Sequence, residues 1–384
     1  MIPYGRQDIS QADIDAVVAV LRSDWLTQGP VVPSFEQAVA AKVRARHAVA
    51  VNSATSALHI ACLALNLGPG DRLWTVPNTF VASANCGRYC GAEVDFVDID
   101  PDTWNLSVPR LAERLVQAKK VKRLPKVVVP VHFAGQPADQ EAIWELAQEY
   151  GFTVIEDASH AIGASRYGEP VGSCRWSDIT VFSFHAVKII TTGEGGMALT
   201  NNEELAWRMG MLRTHGITRE PERMTQPPAG PWAYEQQALG FNYRMTDIQA
   251  ALGLSQLARL DEWVKRRNVL ASLYDDALQG LPLRLPTVKP ENHSAFHLYV
   301  VRLKPGALKK THREIGESLR ATGIGVNVHY VPVHLQPYYR NLGFSPGQFP
   351  EAEAHGEEAI TLPLYPALTA GEQDRVVEAL RKVL

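Results

Sequence analysis

The sequence predicts an α/β protein with a mostly parallel sheet between helices, followed by a smaller α+β domain. Through the first half of the chain, short apolar runs alternate with amphipathic stretches of helical length, a pattern typical of strand-helix-strand crossovers. A segment rich in Pro, Gly, Arg and Gln follows at 217–240 and predicts a long loop between the two halves. With 384 residues, 46% of them hydrophobic, the chain can bury two cores.

The first half predicts its elements in a definite order. Ser10 is expected to cap a helix at 11–22, because apolar residues recur there with helical spacing. A second helix is expected at about 33–45. We interpret as strands the apolar runs at 48–52, 71–76, 93–98, 126–131, 152–156 and 179–184, and as helices the stretches at about 55–66, 79–90, 108–118 and 138–150.

The second half predicts a different arrangement. A long helical pattern at about 245–276 is expected to link the domains, which we place at 1–244 and 245–384. Beyond it, apolar runs at 296–301 and 326–331 flank a predicted helix at 311–322. This is the smaller α+β domain.

Charge and composition exclude several classes of protein. A net charge of −3 provides no basic surface for nucleic acid or an anionic membrane. The sequence contains no 18-residue apolar stretch and no signal-peptide layout, so we expect a cytoplasmic protein. Four cysteines in apolar surroundings indicate reduced thiols. Cys86 and Cys90 lack a second ligand pair, so no metal site is expected.

Polar residues follow three of the predicted strands, at positions that a parallel sheet brings to one edge. They are Asp157, Ser183 and the turn 52–56. Ser53 and Thr55 stand where a helix opens after a strand, a place that favours a phosphate. A simple helix cap without a ligand explains the same two residues.

Lys188 follows an apolar run and precedes a glycine-rich turn that lets the backbone approach a ligand. An amine and an acid at two strand ends are the pair that pyridoxal phosphate requires: Lys188 would hold the aldehyde and Asp157 would keep the pyridine nitrogen protonated. Each residue also has an ordinary interpretation. Lys188 fits a solvated lysine, Asp157 a helix cap, and His160 and His185 hydrogen-bonded histidines.

Seven motifs, taken together and in order, resemble the DegT/DnrJ/StrS family of sugar aminotransferases. These are pyridoxal-phosphate enzymes of fold type I, which implies a seven-stranded, mostly parallel sheet in the large domain. The motifs span nearly the whole chain and lie at 26–36, 52–59, 77–82, 156–161, 183–196, 213–216 and 240–247.

The resemblance implies roles for the matching residues. Lys188 corresponds to the cofactor-holding lysine and Asp157 to the partner of the pyridine nitrogen. The other implied cofactor contacts are Phe80 on the ring, His160 on the ring hydroxyl, and Ala54, Thr55 and Ser183 on the phosphate. Asn242 corresponds to an asparagine that reaches the neighbouring subunit's phosphate, which implies a homodimer with shared active sites. The family's usual proline is Ala186 here.

Within the family, the runs at 52–59, 183–188, 212–217, 242–244 and 328–334 are most similar to members that form UDP-4-amino-4,6-dideoxy-N-acetyl-β-L-altrosamine for pseudaminic acid. The implied substrates are a UDP-linked 4-keto sugar and L-glutamate, and the destination is flagellin or a surface glycan. Candidate substrate contacts are Thr27, His185, Arg213, His215, His329 and Tyr330. A role at a domain or subunit interface is equally consistent with Arg213, His215, His329 and Tyr330.

Three alternatives stay open. The enzyme aminates C3 or C4 of a different nucleotide-linked keto-sugar, or it is a dehydratase of the same fold, or it is a non-catalytic regulatory relative. The dehydratases carry histidine in place of the lysine, so Lys188 argues against that class.

Overall fold

The computed structural model describes residues 1–384. The strands are β1 His47–Val51, β2 Arg72–Thr75, β3 Glu93–Phe96, β4 Val127–Val129, β5 Thr153–Asp157, β6 Ser165–Arg166, β7 Glu169–Pro170, β8 Ile179–Ser183, β9 Gly196–Thr200, β10 Ile217–Thr218, β11 Glu235–Gln236, β12 Leu283–Arg284, β13 Asn292–His293, β14 Tyr299–Leu303 and β15 Ala359–Leu362. The helices are α1 Gln11–Leu21, α2 Val31–Val43, α3 Ala54–Ala64, α4 Ala82–Tyr89, α5 Val108–Lys120, α6 Gln140–Tyr150, α7 Glu203–Leu212, α8 Asp247–Leu257, α9 Leu260–Ala277, α10 His312–Ala321, α11 Pro337–Arg340, α12 Pro350–Glu358 and α13 Ala370–Val383.

The central sheet has seven strands in the order β1-β9-β8-β5-β4-β2-β3. Neighbouring strands from β8 to β3 are parallel, whereas β9 runs antiparallel to both β8 and β1. The predicted α/β class with a mostly parallel sheet is confirmed. The six predicted strands all form, each within a few residues of its expected bounds.

The seventh strand, β9, was not predicted from the apolar pattern. It starts at Gly196, inside the segment that we interpreted as a glycine-rich turn, and only a short apolar run follows. Gly196 is required for packing, because a Cβ atom there would meet the backbone nitrogen of Ala54 at 2.4 Å. β9 therefore runs directly against the start of α3.

Local signals explain several helix ends. Ser10 caps α1 as predicted: its hydroxyl accepts a hydrogen bond from the Asp13 amide at 3.3 Å, and the Asp13 carboxylate accepts one from the Ser10 amide at 2.8 Å. None of the helices combines the length and the apolarity that crossing a membrane demands. The four cysteines are buried, and no disulfide joins them.

The C-terminal half builds a second apolar core on the antiparallel sheet β12-β14-β15. Leu270 and Tyr274 of α9 pack into this core together with Leu319 of α10. Ile2, from the other end of the chain, joins them and pairs with Ile324. The boundary between residues 244 and 245 stays a prediction.

Two segments of this half differ from expectation. The helical stretch at 245–276 is two helices, α8 and α9, which are interrupted at Ala258 and Arg259. The run at 326–331 forms no strand and makes only one bridge, from Asn327 to Thr361. Several of its side chains line a cleft instead of joining a sheet.

Candidate active site

A cleft of ≈ 990 Å³ opens beside the carboxyl ends of β5 and β8 and the first turn of α3. Tyr4 and residues 327–330 complete its walls from both ends of the chain. Parallel strands deliver their carboxyl ends to one edge, so the convergence follows from the sheet. Ten residues predicted from the sequence border the cleft: Ala54, Thr55, Phe80, Asp157, His160, Ser183, His185, Lys188, His329 and Tyr330.

One end of the cleft is suited to an anion. The hydroxyl of Ser53 accepts the amide of Ser56 at 3.1 Å and caps α3, whereas the amides of Ala54 and Thr55 find no acceptor in the protein. Ser183, at the end of β8, lies on the same cleft. Free amides and the positive end of an 11-residue helix favour a phosphate group.

Asp157 is the last residue of β5 and is held by three hydrogen bonds. Its Oδ2 atom accepts the hydroxyl of Ser83 at 2.6 Å, and its Oδ1 atom accepts the hydroxyl of Ser159 at 2.6 Å and the Ser159 amide at 3.1 Å. Strand alternation turns the neighbouring Glu156 to the other face, where it accepts the Thr180 hydroxyl at 2.7 Å. Both oxygens of Asp157 are thus fixed while the residue borders the cleft.

Lys188 follows β8 and is the only lysine or arginine that borders the cleft. Burial lowers the pKa of its amine from 10.5 to about 8, and the charge of Asp157 opposes that shift. The amine therefore loses its proton more readily near neutral pH than an exposed lysine does. A neutral amine is the form that attacks an aldehyde and accepts a proton.

Two aromatic side chains, Phe80 and Tyr330, form another part of the cleft wall. Phe80 is 58% exposed despite its size and lies 6.4 Å from the ring of Tyr330. Nε2 of His160 is 3.1 Å from the Tyr330 hydroxyl, while its buried Nδ1 has no partner. Burial, and then the charge of Lys188, hold the pKa of His160 well below its usual range. The open aromatic face, the unpartnered nitrogen, the amine and the free amides together fit pyridoxal phosphate.

Four predicted residues do not border the cleft of their own chain: Thr27, Arg213, His215 and Asn242. The Arg213 guanidinium pairs with the carboxylate of Glu36 and donates to the Ala50 carbonyl at 2.7 Å, so it fastens α2 to β1. This favours the structural interpretation of Arg213. The other three side chains are exposed.

The sequence pattern did not single out several residues that the fold brings to the site. His297 is buried, and its ring lies 4.5 Å from that of His160, between centroids. Tyr4 arrives because Ile2 is anchored in the C-terminal core. The sequence could have pointed to Ser83, because it stands three residues after Phe80 in a predicted helix and so shares a face with it. His297 had none, because it lies in an apolar run typical of a strand.

Comparison with known proteins agrees with this geometry. The profile of the DegT/DnrJ/EryC1/StrS aminotransferase family matches residues 7–381. The spore coat polysaccharide biosynthesis protein SpsC of Bacillus subtilis is 40% identical over 386 residues, covering 100% of this chain and 97% of that protein. The structure of PseC from Helicobacter pylori, an aminotransferase involved in pseudaminic acid biosynthesis, matches with a TM-score of 0.89 at 31% identity, over 100% of this chain and 98% of that one.

A third relative bears on the cofactor. The structures of Spr1654 from Streptococcus pneumoniae are 31% identical and match with TM-scores of 0.88 in the PLP form and 0.90 in the PMP form. Each alignment covers 100% of this chain and 99% of that one.

Proposed function

The chain belongs to the DegT/DnrJ/EryC1/StrS aminotransferase family, and we propose that it transfers the amino group of L-glutamate to C4 of a UDP-linked 4-keto-6-deoxy-N-acetylhexosamine. It is a sugar aminotransferase, and its cofactor is pyridoxal 5'-phosphate. The proposed product is UDP-4-amino-4,6-dideoxy-N-acetyl-β-L-altrosamine, for pseudaminic acid. The placement of Lys188 and Asp157 on one cleft with the open end of α3 carries the aminotransferase chemistry, and the sequence runs similar to those of the pseudaminic acid enzymes support the choice of sugar.

When bound, pyridoxal phosphate supplies an aldehyde that takes up amino groups and a ring that accepts electrons. The residues to hold it are Lys188 at the aldehyde, the amides of Ala54 and Thr55 at the phosphate, and Phe80 at the ring face. Asp157 places a fixed negative charge for the ring nitrogen, and its three hydrogen bonds prevent the carboxylate from turning away.

Lys188 has a second task, which is proton transfer. We assign this task to Nζ of Lys188, which would take a proton from the donor carbon and return one to the sugar carbon, because the same amine holds the aldehyde and is therefore placed beside the reacting carbon. The lowered pKa of Lys188, about 8, suits both directions near neutral pH. His160 stays neutral and is suited to a hydrogen bond with the ring hydroxyl rather than to charge repulsion with Lys188.

The proposed homodimer is supported by a shortage of positive charge in the cleft of a single chain. A UDP-sugar carries two phosphates, yet the cleft of one chain contains no lysine or arginine apart from Lys188, whose amine is needed for the aldehyde. A second copy of the chain is the proposed source of the missing contacts. Asn242 and His215 lie together on an exposed edge, where the His215 amide donates to the Phe241 carbonyl at 2.8 Å.

Mixing two impaired variants tests the shared site, at a pyridoxal phosphate concentration that loads the wild type but loads Asn242→Ala only sparsely. Asn242→Ala is expected to weaken cofactor binding about 10-fold, because one phosphate contact is lost. When mixed with Lys188→Ala, half of the dimers are expected to be heterodimers that hold one intact site each. Activity should then recover to about a quarter of that of the wild type. Mixtures no more active than Asn242→Ala alone would show that each site belongs to one chain.

The identity of the sugar has one alternative that a specific observation favours. SpsC, a relative in spore coat polysaccharide biosynthesis, is 40% identical, whereas PseC is 31% identical. Amination of C3 or C4 in another nucleotide-linked keto-sugar is therefore the second candidate.

A substrate panel separates the two candidates. With L-glutamate as donor, kcat/KM for the N-acetylated UDP-4-keto-6-deoxy sugar is expected to exceed that for its dTDP-linked 4-keto and 3-keto counterparts by about 100-fold, because buried polar contacts reject analogues that lack the matching group. Product mass and stereochemistry at the aminated carbon identify the reaction. A preference for another sugar of the panel would establish the alternative.

A further inference from the structure

We propose that Ser83 is a positioning residue that fixes the carboxylate of Asp157 relative to the aromatic face of Phe80. The proposal rests on the assignment of the cleft to pyridoxal phosphate. Ser83 is fully buried and does not border the cleft, so it touches neither the cofactor nor the substrate. Its effect has to act through the groups to which it is bonded.

The hydrogen bonds form a chain with a defined direction. The Ser83 hydroxyl donates its single proton to Oδ2 of Asp157 at 2.6 Å. The Thr79 hydroxyl lies 2.7 Å from the Ser83 oxygen and must therefore be the donor in that pair. The order is Thr79 to Ser83 to Asp157, and Oδ1 of Asp157 is fixed separately by Ser159.

This series of hydrogen bonds connects two walls of the cleft, the turn that carries Phe80 and the end of β5. Thr79, Phe80 and Ser83 belong to one turn at the start of α4, where the Ser83 amide donates to the Phe80 carbonyl at 3.3 Å. Asp157 is carried by β5, more than seventy residues later in the chain. The bond from Ser83 is the only hydrogen bond between that turn and the Asp157 carboxylate.

The consequence concerns the cofactor ring, which these two walls would hold between them. A flat ring that stacks on Phe80 meets Asp157 correctly only when the turn and the strand keep their offset, and small misplacements in a supporting shell cost activity. Loss of the Ser83 hydroxyl leaves Oδ2 without this donor, so the carboxylate can rotate and the turn can shift. The ring is then still bound, but less well oriented.

Ser83→Ala tests this, with Thr79→Val as a second variant and Ser177→Ala as the matched control. Ser177 is also buried and bonded to a hydroxyl, that of Thr180 at 3.1 Å, but it borders no part of the cleft. For Ser83→Ala we expect kcat to fall about 10- to 100-fold, KM for both substrates to stay within about threefold, and visible circular dichroism per bound cofactor to fall at least about twofold. Thr79→Val, which keeps the bond from Ser83 to Asp157, should lower kcat about three- to tenfold.

The outcomes distinguish a failure of the role proposed for Ser83 from a failure of the assignment of the cleft to pyridoxal phosphate. Ser83→Ala with the visible dichroism and kcat of the wild type overturns it, as does an equal change in Ser177→Ala. If Ser83→Ala does not fold, Ser83→Cys decides, because its thiol nearly keeps the size of the side chain but is only a weak donor: an unchanged dichroism and kcat overturn the proposal, and a reduction in both supports it. A wild type that binds no pyridoxal phosphate overturns the assignment of the cleft together with this proposal.

Discussion

Lys188→Ala is expected to abolish covalent attachment of the cofactor and to lower the rate of transamination by at least about 10⁴-fold. The loss is large because one amine has both tasks: it holds the aldehyde and it moves the proton. No other lysine or arginine borders the cleft to replace it. Borohydride reduction followed by mass spectrometry measures attachment, and single-turnover kinetics with L-glutamate measure proton transfer.

Two further variants show that the chemistry of the amine, and not its charge, is lost. Lys188→Arg keeps a positive charge but has a pKa too high for a base, so its activity should fall as far as that of Lys188→Ala. Lys42→Ala removes a lysine whose amine pairs with Asp261 at 2.5 Å, outside the cleft, and should leave attachment unchanged. Covalent cofactor in Lys188→Ala would place the attachment on another residue.

Asp157→Asn is expected to lower kcat by about 10³-fold while cofactor affinity changes less than about 10-fold. The amide has the shape of the carboxylate and keeps an oxygen that accepts from Ser159, so the fold of this region should be retained. It carries no negative charge, and the ring nitrogen then lacks the partner that keeps it protonated. Steady-state kinetics and equilibrium titration of the apoenzyme with pyridoxal phosphate measure the two effects separately.

Asp178→Asn is the matched control for this variant. Asp178 precedes β8 at the opposite end of the sheet and accepts the Val154 amide at 2.8 Å, away from the cleft. An amide oxygen preserves that hydrogen bond, so kcat should stay within about twofold of the wild type. Near-normal kcat in Asp157→Asn would mean that the carboxylate is not the partner of the ring nitrogen.

The order of the main elements was predictable from the sequence because local chemistry determines it. Short apolar runs located six of the seven central strands, and Ser10 caps α1 as its hydroxyl and the helical spacing predicted. Strand β9 escaped because its apolar run is short and follows two glycines, which favour a turn when only their neighbours are considered. The run at 326–331 was misleading because the four consecutive residues 327–330 all line the cleft and do not alternate between the two faces of a sheet.

The sequence by itself determined the α/β class and presented Lys188 and Asp157 as a candidate pair, because residues at strand ends are recognisable from adjacent positions. Only the tertiary structure decided that β9 runs antiparallel, that Arg213 is committed to Glu36, and that Tyr4 and His297 reach the cleft. These depend on packing between segments that lie far apart in the chain. The contact of Ser83 with Asp157 is of the same kind: the two residues meet only when α4 packs beside the end of β5.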